Sequence, residues 1–150
     1  MAQCSIQTPV GKVIATADDI GVCTLDFDAN MPEKEESNAH LEQLKCELAE
    51  YFTGKRTAFD VALHPRGTPF QLSVWQCLCA IPYGHTVSYS EEAKMLNHPT
   101  ATRAVANANG KNPLPIIIPC HRVIAKDKSL GGYSGGLWRK EILLELERNR

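Results

Sequence analysis

The chain opens on two apolar runs of strand character, Cys4 to Ala17 and Val22 to Phe27, on either side of the polar turn Asp18-Asp19-Ile20-Gly21. Such runs around an Asp/Gly cluster predict a hairpin belonging to a small sheet. The acidic stretch Asn30 to Asn38 interrupts the pattern and reads as a solvated loop. Leu41, Leu44, Leu48 and Tyr51/Phe52 then recur at helical spacing with Gly54 behind them, predicting an amphipathic helix of about 13 residues that flanks the sheet.

A short apolar alternation from Thr57 leads to His64-Pro65-Arg66-Gly67, and beyond it the periodicity becomes helical. The boundary is expected there, dividing the chain into 1–67 and 68–150. Thr68-Pro69-Phe70-Gln71 supplies a cap hydroxyl, a proline at the first helical position and a glutamine three residues after the cap. Phe70, Val74, Leu78 and Ile81 follow on one face, and Pro82-Tyr83-Gly84 ends the helix. Ser88-Tyr89-Ser90-Glu91 is a second capping box, opening a short helix through Leu96 that Asn97-His98-Pro99 breaks. From Pro99 to Asn109 the residues Ala101, Ala104, Val105 and Ala108 share one face, with Gly110 as the stop. Two short helices around a tight turn are the pattern of a helix-turn-helix.

The outer face of the second of these helices carries Thr102, Arg103, Ala106, Asn107 and Gly110. Apart from Arg103 its side chains are small, so the backbone can approach a partner while one long cation reaches into it; the bland alternative is a packed Ala-rich helix with a solvated arginine. The expected fold class is α/β of the α+β kind. A small N-terminal β-sheet lobe with its helix precedes a helical C-terminal lobe bearing a winged helix-turn-helix.

Composition narrows the classes. With 150 residues, 43% hydrophobic, 22% charged, 10 Gly and 9 Pro, the chain is neither collagen-like, nor a coiled coil, nor disordered. No apolar run nears the roughly 18 to 20 residues of a membrane span, and MAQCSIQTPVGK lacks a signal-peptide core, so a soluble cytoplasmic protein is expected, nuclear if the source is eukaryotic. The six cysteines are expected as thiols in a reducing compartment. None is spaced as CxxC, so no metal is expected. The net charge of −1 hides an asymmetry: residues 1–67 hold six Lys and Arg against eleven Asp and Glu, residues 68–150 ten against six. A polyanionic partner would meet the C-terminal half.

The chemistry concentrates there. Ile116-Ile117-Ile118 reads as a buried strand between prolines, delivering Cys120 directly behind it with His121 alongside. A free thiol is only a few per cent ionised at neutral pH, so a base is needed, and His121 is the local one. Adjacent residues on extended backbone point apart, which calls for a bridging water between them. Lys140, Leu144 and Glu147 fall on one face of the last helix, making Glu147 a buried carboxylate able to orient His121. Cys4, Cys23, Cys46, Cys77 and Cys79 read as small core residues. The glycine-rich Leu130 to Gly136 lacks the ending of a phosphate loop, and instead offers backbone amides and Tyr133 to a flat ligand.

These motifs, PCHRVI at 119–124, SY at 88–89, RAV with its following NP at 103–113 and GGYSGG with its downstream K, LL and E at 131–147, resemble the O6-alkylguanine-DNA alkyltransferases over nearly the whole chain. The resemblance implies a ribonuclease-H-like N-terminal lobe and a suicidal repair protein that flips an alkylated guanine, or O4-alkylthymine, from duplex DNA and moves the alkyl group onto Cys120. It implies His121 and Glu147 as a relay through water and Asn112 as the residue orienting the active-site turn. Tyr89 and Lys140 become donors to the base, and Val123, Tyr133 and Ser134 line its pocket. Arg103 fills the gap in the duplex, and Thr102, Ala106, Asn107 and Gly110 meet DNA in the minor groove. It implies no cofactor, no membrane and a monomer. The chain departs from the family at Ala106, where glycine is usual, and at Asn109 and Lys111 near the pocket rim. Three other classes are weighed against this one: a lesion sensor, whose relatives replace the cysteine; a winged-helix regulator; and a cysteine hydrolase.

Overall fold

Three antiparallel strands in the order β1-β2-β3, at Ala2–Thr8, Gly11–Ala17 and Val22–Phe27, form the sheet of the first unit. The structure, a computed structural model, describes residues 1–28, 30 and 34–148, and the chain separates into units Met1–Arg66 and Gly67–Arg150. The first apolar run is thus two strands rather than one. Pro9-Val10 turns the chain, Thr8 Oγ1 accepting from Val10 N at 3.1 Å and donating to Gly11 O at 2.7 Å, while Gly11 takes φ +103°, open to glycine. At the expected turn, Asp18 Oδ1 accepts from the amides of Ile20 and Gly21 at 2.8 and 3.0 Å. Helix α1, Ala39–Phe52, is capped by Asn38 and packs Leu41, Leu44, Leu48 and Tyr51 on the sheet. Of the acidic stretch, residues 31–33 lie outside the described part. Glu35 is tied to β1, accepting from N and Oγ of Ser5 at 3.0 and 2.6 Å, so that stretch is not merely solvated.

Cys4 and Cys23 are buried as expected, but Cys46 and Cys79 are exposed and Cys77 is half-buried. Cys46 lies on the polar side of α1, and Cys79 is the cap residue past the end of the second helix, so neither reaches a core.

In the second unit, α2 (Pro69–Leu78) carries the expected capping box, with Trp75 joining Val74 and Leu78 inside and donating from Nε1 to Ala108 O at 2.9 Å. Helices α3 (Tyr89–Met95) and α4 (Thr102–Gly110) form the helix-turn-helix; Ser88 caps α3. The short parallel pair β4 (Val87–Ser88) and β5 (Val123–Ile124) ties this element to the segment behind the cysteine, and α5 (Leu137–Arg148) closes the unit. On α4 the buried stripe is Val105, Ala108 and Asn109, whereas Ala104 is exposed and Ala101 half-buried. The helix begins at Thr102, and contacts with both α2 and α3 rotate its inward face toward Asn109.

The three isoleucines are buried but do not form a strand. Ile118 N bonds Leu114 O at 2.9 Å, curling the backbone, and Ile116 sits at φ +75°. That conformation costs a β-branched residue roughly 1–3 kcal/mol, which only a tightly packed surround sustains. Prolines 113, 115 and 119 deny the segment the amides a strand ladder needs. Among the described residues no helix is long and apolar enough to cross a membrane.

Candidate active site

Cys120, His121 and Arg122 occupy one turn of 3-10 helix between the curled isoleucines and β5. The backbone is therefore not extended there, as the sequence reading supposed. Asn112 builds the turn: Oδ1 accepts from Leu114 N at 2.9 Å, and Nδ2 donates to Ile118 O at 2.8 Å and to Cys120 Sγ at 3.2 Å. One amide thus fixes the curled backbone and meets the sulfur. Burial pushes the Cys120 thiol up to about 11, against the Asn112 hydrogen bond and the charge of Lys140, so the resting group is a thiol.

Behind it, His121 Nε2 lies 2.7 Å from Glu147 Oε2, both side chains buried. Arg122, to which sequence reasoning assigned no role, completes the group: Nε and Nη2 donate to Oε1 and Oε2 of Glu147 at 2.8 and 3.0 Å, and Nη1 donates to Ile81 O at 2.7 Å. The fork engages both carboxylate oxygens. A carboxylate only accepts, so the imidazole proton sits on Nε2 and Nδ1 keeps its lone pair. Nδ1 is buried with no hydrogen-bond partner among the described residues. Burial holds the His121 pKa below its ordinary value, against the pull of Glu147. The ring is therefore a neutral base at neutral pH. No direct hydrogen bond joins Sγ to it among the described residues.

A cavity of about 350 Å³ is lined by Tyr89, Ala106, Asn109, Gly110, Cys120, Gly132, Tyr133 and Ser134. The structure thus brings Tyr89, Tyr133 and Ser134 to the thiol, along with two residues of the α4 face. Gly132 N donates to Tyr89 Oη at 3.3 Å, and burial raises both tyrosine pKa values, keeping their hydroxyls protonated. Two expected base contacts are placed elsewhere. Val123 is buried outside the lining, and Lys140, expected as a donor to the base, directs Nζ at the carbonyls of Val123 (2.7 Å), Leu130 and Gly132 (3.0 Å). It binds the glycine-rich segment to β5 instead, and burial lowers its pKa to about 8. Arg103, Ala104, Ala106 and Asn107 line a separate open depression on α4.

Sequence reasoning also passed over Glu92, fully buried in α3, whose Oε1 accepts from Asn109 Nδ2 at 2.7 Å. The only advance signal was a second glutamate beside the capping Glu91. In the first unit Asp18, Cys23 and His64 place possible ligand atoms within 4.8 Å of one another. Hydrogen bonding accounts for the group: Asp18 Oδ2 meets His64 Nδ1 at 2.6 Å, and the Gly21 amide and His64 hold the Asp18 carboxyl well below the usual carboxylate range.

Two family models match: "6-O-methylguanine DNA methyltransferase, ribonuclease-like domain" over residues 2–65, and the DNA binding domain of the same description over residues 69–149. A methylated-DNA--protein-cysteine methyltransferase of Methanosarcina barkeri is 44% identical, covering 96% of this chain and 95% of that protein. An inducible one of Bacillus subtilis is 50% identical over 75% of this chain and 63% of its own length. Among solved structures, Mycobacterium tuberculosis OGT in complex with DNA is 41% identical with a TM-score of 0.87, covering 99% of this chain and 94% of that one. An O6-methylguanine DNA methyltransferase from Methanococcus jannaschii is 32% identical with a TM-score of 0.72, covering 98% and 94%. With both models together spanning nearly all of the sequence, and a thiol, imidazole, carboxylate and guanidinium assembled in the second, the chain belongs to the 6-O-methylguanine DNA methyltransferase family.

Proposed function

We propose that this protein repairs DNA by direct, irreversible transfer of an alkyl group from O6-alkylguanine in duplex DNA to Cys120, once per molecule. The observation that carries this reading is the buried thiol in the wall of a cavity large enough for a base, backed by a neutral imidazole with a free Nδ1 lone pair. The thiol passes its proton through a bridging water to Nδ1 of His121, whose positive charge Glu147 stabilises. The thiolate attacks the alkyl carbon, the S–C bond forms as the C–O6 bond breaks, and the bonding pair leaves on guanine. The guanine anion then takes up the proton that left the thiol. Tyr89, whose hydroxyl stays protonated, donates to the departing base, and the amide groups at 133–134 complete the pocket. The product thioether has no leaving group these residues could displace, so the site is consumed.

A base within a stacked duplex cannot reach this cavity, and extrusion is required. Residues 68–150 serve as the alkyl-acceptor and DNA-binding domain and residues 1–67 as the ribonuclease-like lobe. The outward small-residue face of α4, half-buried at Thr102 and Ala106 and exposed at Asn107 and Gly110, enters the minor groove against the backbone, with Arg103 in the space the base vacates. The protein acts as a monomer in the cytoplasm, or in the nucleus of a eukaryotic source.

Mixing the protein with an oligonucleotide carrying one O6-methylguanine tests the reading by intact-mass spectrometry and peptide mapping. A gain of one methyl on the Cys120 peptide, saturating at one per molecule, is expected; unchanged mass with lesion-selective binding would make the protein a sensor. Arg103→Ala should slow transfer from duplex DNA about 10- to 100-fold, the equivalent of roughly 1.4–2.8 kcal/mol of unstacking left unbalanced. Reaction with free O6-methylguanine should be nearly unchanged, and equal losses on both substrates would remove Arg103 from this role. At Gly131, with φ +72°, a Cβ would stand 2.8 Å from Tyr89 Oη. Gly131→Ala should therefore displace Tyr89 and lower the transfer rate by about tenfold or more, since misplacement by an ångström is felt at the reacting centre. A rate within twofold of the parent would show Tyr89 dispensable.

A further inference from the structure

Helix α4 starts without a side-chain cap, so its seat beside α3 depends on what its inner face meets. Val105 and Ala108 are packed, Ala108 O accepts from Trp75 Nε1, and Asn109 Nδ2 donates to Glu92 Oε1 at 2.7 Å across the α3–α4 seam. Glu92 is the odd member of this seam. It is 0% exposed, and its Oε2 is buried with no hydrogen-bond partner among the described residues. A carboxylate there would rest a full charge on one amide hydrogen bond, whereas the acid carries no charge, so burial favours the acid. The surroundings supply no compensating cation. Asn109 faces it from α4, and the titratable groups its charge reaches are Cys77 of α2, Tyr89 of its own helix and Cys120, all three held protonated by burial. Strands β4 and β5 bring no titratable side chain, and Glu91, Lys94, His98 and Arg103 are exposed. Burial accordingly raises the Glu92 pKa from 4.5 to about 7, against the Asn109 hydrogen bond.

We propose that Glu92 is a proton-dependent latch of the helix-turn-helix: as the acid it lets α4 close on α3, and as the carboxylate it drives the seam apart until water reaches Oε2. The step exchanges one proton between Oε2 and solvent. Hydration cannot come through the Cys120 cavity, which Glu92 does not line, so the two helices must part. Parting them shifts Ala106, Asn109 and Gly110 in the cavity wall together with the outer face that carries Arg103. The closed seam keeps the Glu92 proton up to about pH 7 and the open one only to about 4.5. Closure therefore weakens by about tenfold per pH unit as pH rises between those values, about 300-fold in all, and is constant on either side. The inference goes beyond the transfer reading and concerns the helix that reading sets in the groove.

Hydrogen exchange of the α4 amides, corrected for the intrinsic dependence of exchange on pH, tests this on the parent and on Glu92→Gln, which keeps an acceptor for Asn109 Nδ2 and cannot ionise. From about pH 5 to about pH 7 the protection of the parent relative to the variant should fall by about tenfold per unit, and above that it should level off. Glutamine leaves a donor at the position of Oε2, so Glu92→Leu/Asn109→Leu, apolar at both positions, repeats the comparison and should give the same slope. Thermal melting of the three proteins should show the parent losing stability relative to both variants over the same window. Relative protection that does not change with pH overturns the latch. Flat protection beside a pH-dependent melting difference overturns it as well, since the Glu92 proton would then belong to global unfolding and not to the seam. Neither measurement uses DNA, so absence of alkyl transfer would overturn the transfer reading and leave the latch standing.

Discussion

Cys120→Ala should abolish alkyl transfer while leaving affinity for O6-alkylguanine DNA within about threefold of the parent. The thiol is the strongest nucleophile among the side chains that line the cavity, and no other cysteine is among them. Its removal leaves the rest of the site standing. Asn112 Nδ2 keeps Ile118 O at 2.8 Å and Oδ1 keeps Leu114 N, so the turn that carries residue 120 retains its ties. The substitution deletes one buried sulfur, a loss of about 1–2 kcal/mol by analogy with other small core truncations. The α4 surface and the Tyr89 and Tyr133 walls are untouched. Intact-mass spectrometry should show no methyl gain, and fluorescence anisotropy with a labelled lesion duplex should show retained binding. A methyl gain on the variant would place the acceptor elsewhere and sink the assignment. Loss of binding with the fold intact would instead give the sulfur a role in recognition.

How much of this was legible in advance follows from the range of the interactions. The helices of the second unit were readable because their signals are local: Thr68 with Gln71 and Ser88 with Glu91 form reciprocal caps in the structure, as their spacing predicts. The buried face of α1 was readable for the same reason, one stripe at one period. The isoleucine triplet misled because apolar β-branched composition signals burial as strongly as it signals strand. The deciding interaction, Asn112 bonding both Leu114 N and Ile118 O, is a side-chain bridge that periodicity does not report. The pairing of β1 with β2 was hidden inside a single apolar run, since only Thr8 and Gly11 mark the turn. At the site, Cys120, His121 and Glu147 could be named from chemistry and family likeness. Arg122 could not be given its task, because its fork reaches Glu147 across 25 positions of sequence. The partners of Lys140 are hidden from the sequence for a related reason: its carbonyl acceptors at 123, 130 and 132 converge only once the glycine-rich segment is folded back. Glu92 and Asn109, 17 residues apart, meet only where α3 and α4 pack.

Glu147→Gln should reduce the transfer rate by up to about 10⁴-fold, the loss seen when a catalytic imidazole loses the carboxylate that sets its tautomer. In the proposed relay Glu147 does two things to His121: its carboxylate holds the ring proton on Nε2, and its charge would stabilise the imidazolium formed during transfer. A glutamine has nearly the same shape but offers an N–H as readily as a carbonyl. Arg122 donates to both ends of this side chain, so the NH₂ of the amide meets a guanidinium donor in either orientation, and where it takes the place of Oε2 it also faces His121 Nε2. Nε2 must then accept, the proton moves to Nδ1, and the base that faces the thiol is lost. The pH dependence has a definite sign. The hydrogen bond and charge of Glu147 both raise the His121 pKa, so their loss lowers it further, and the acid limb of transfer, which falls as His121 takes up a proton, moves to lower pH. The plateau above that limb falls at the same time. Arg122 also loses its anionic partner in a buried setting, a destabilisation of about 3–5 kcal/mol that thermal melting should register. Measuring the single-turnover rate across pH on protein verified as folded separates the two effects. A plateau within threefold of the parent would remove Glu147 from the relay and leave it only the task of neutralising Arg122.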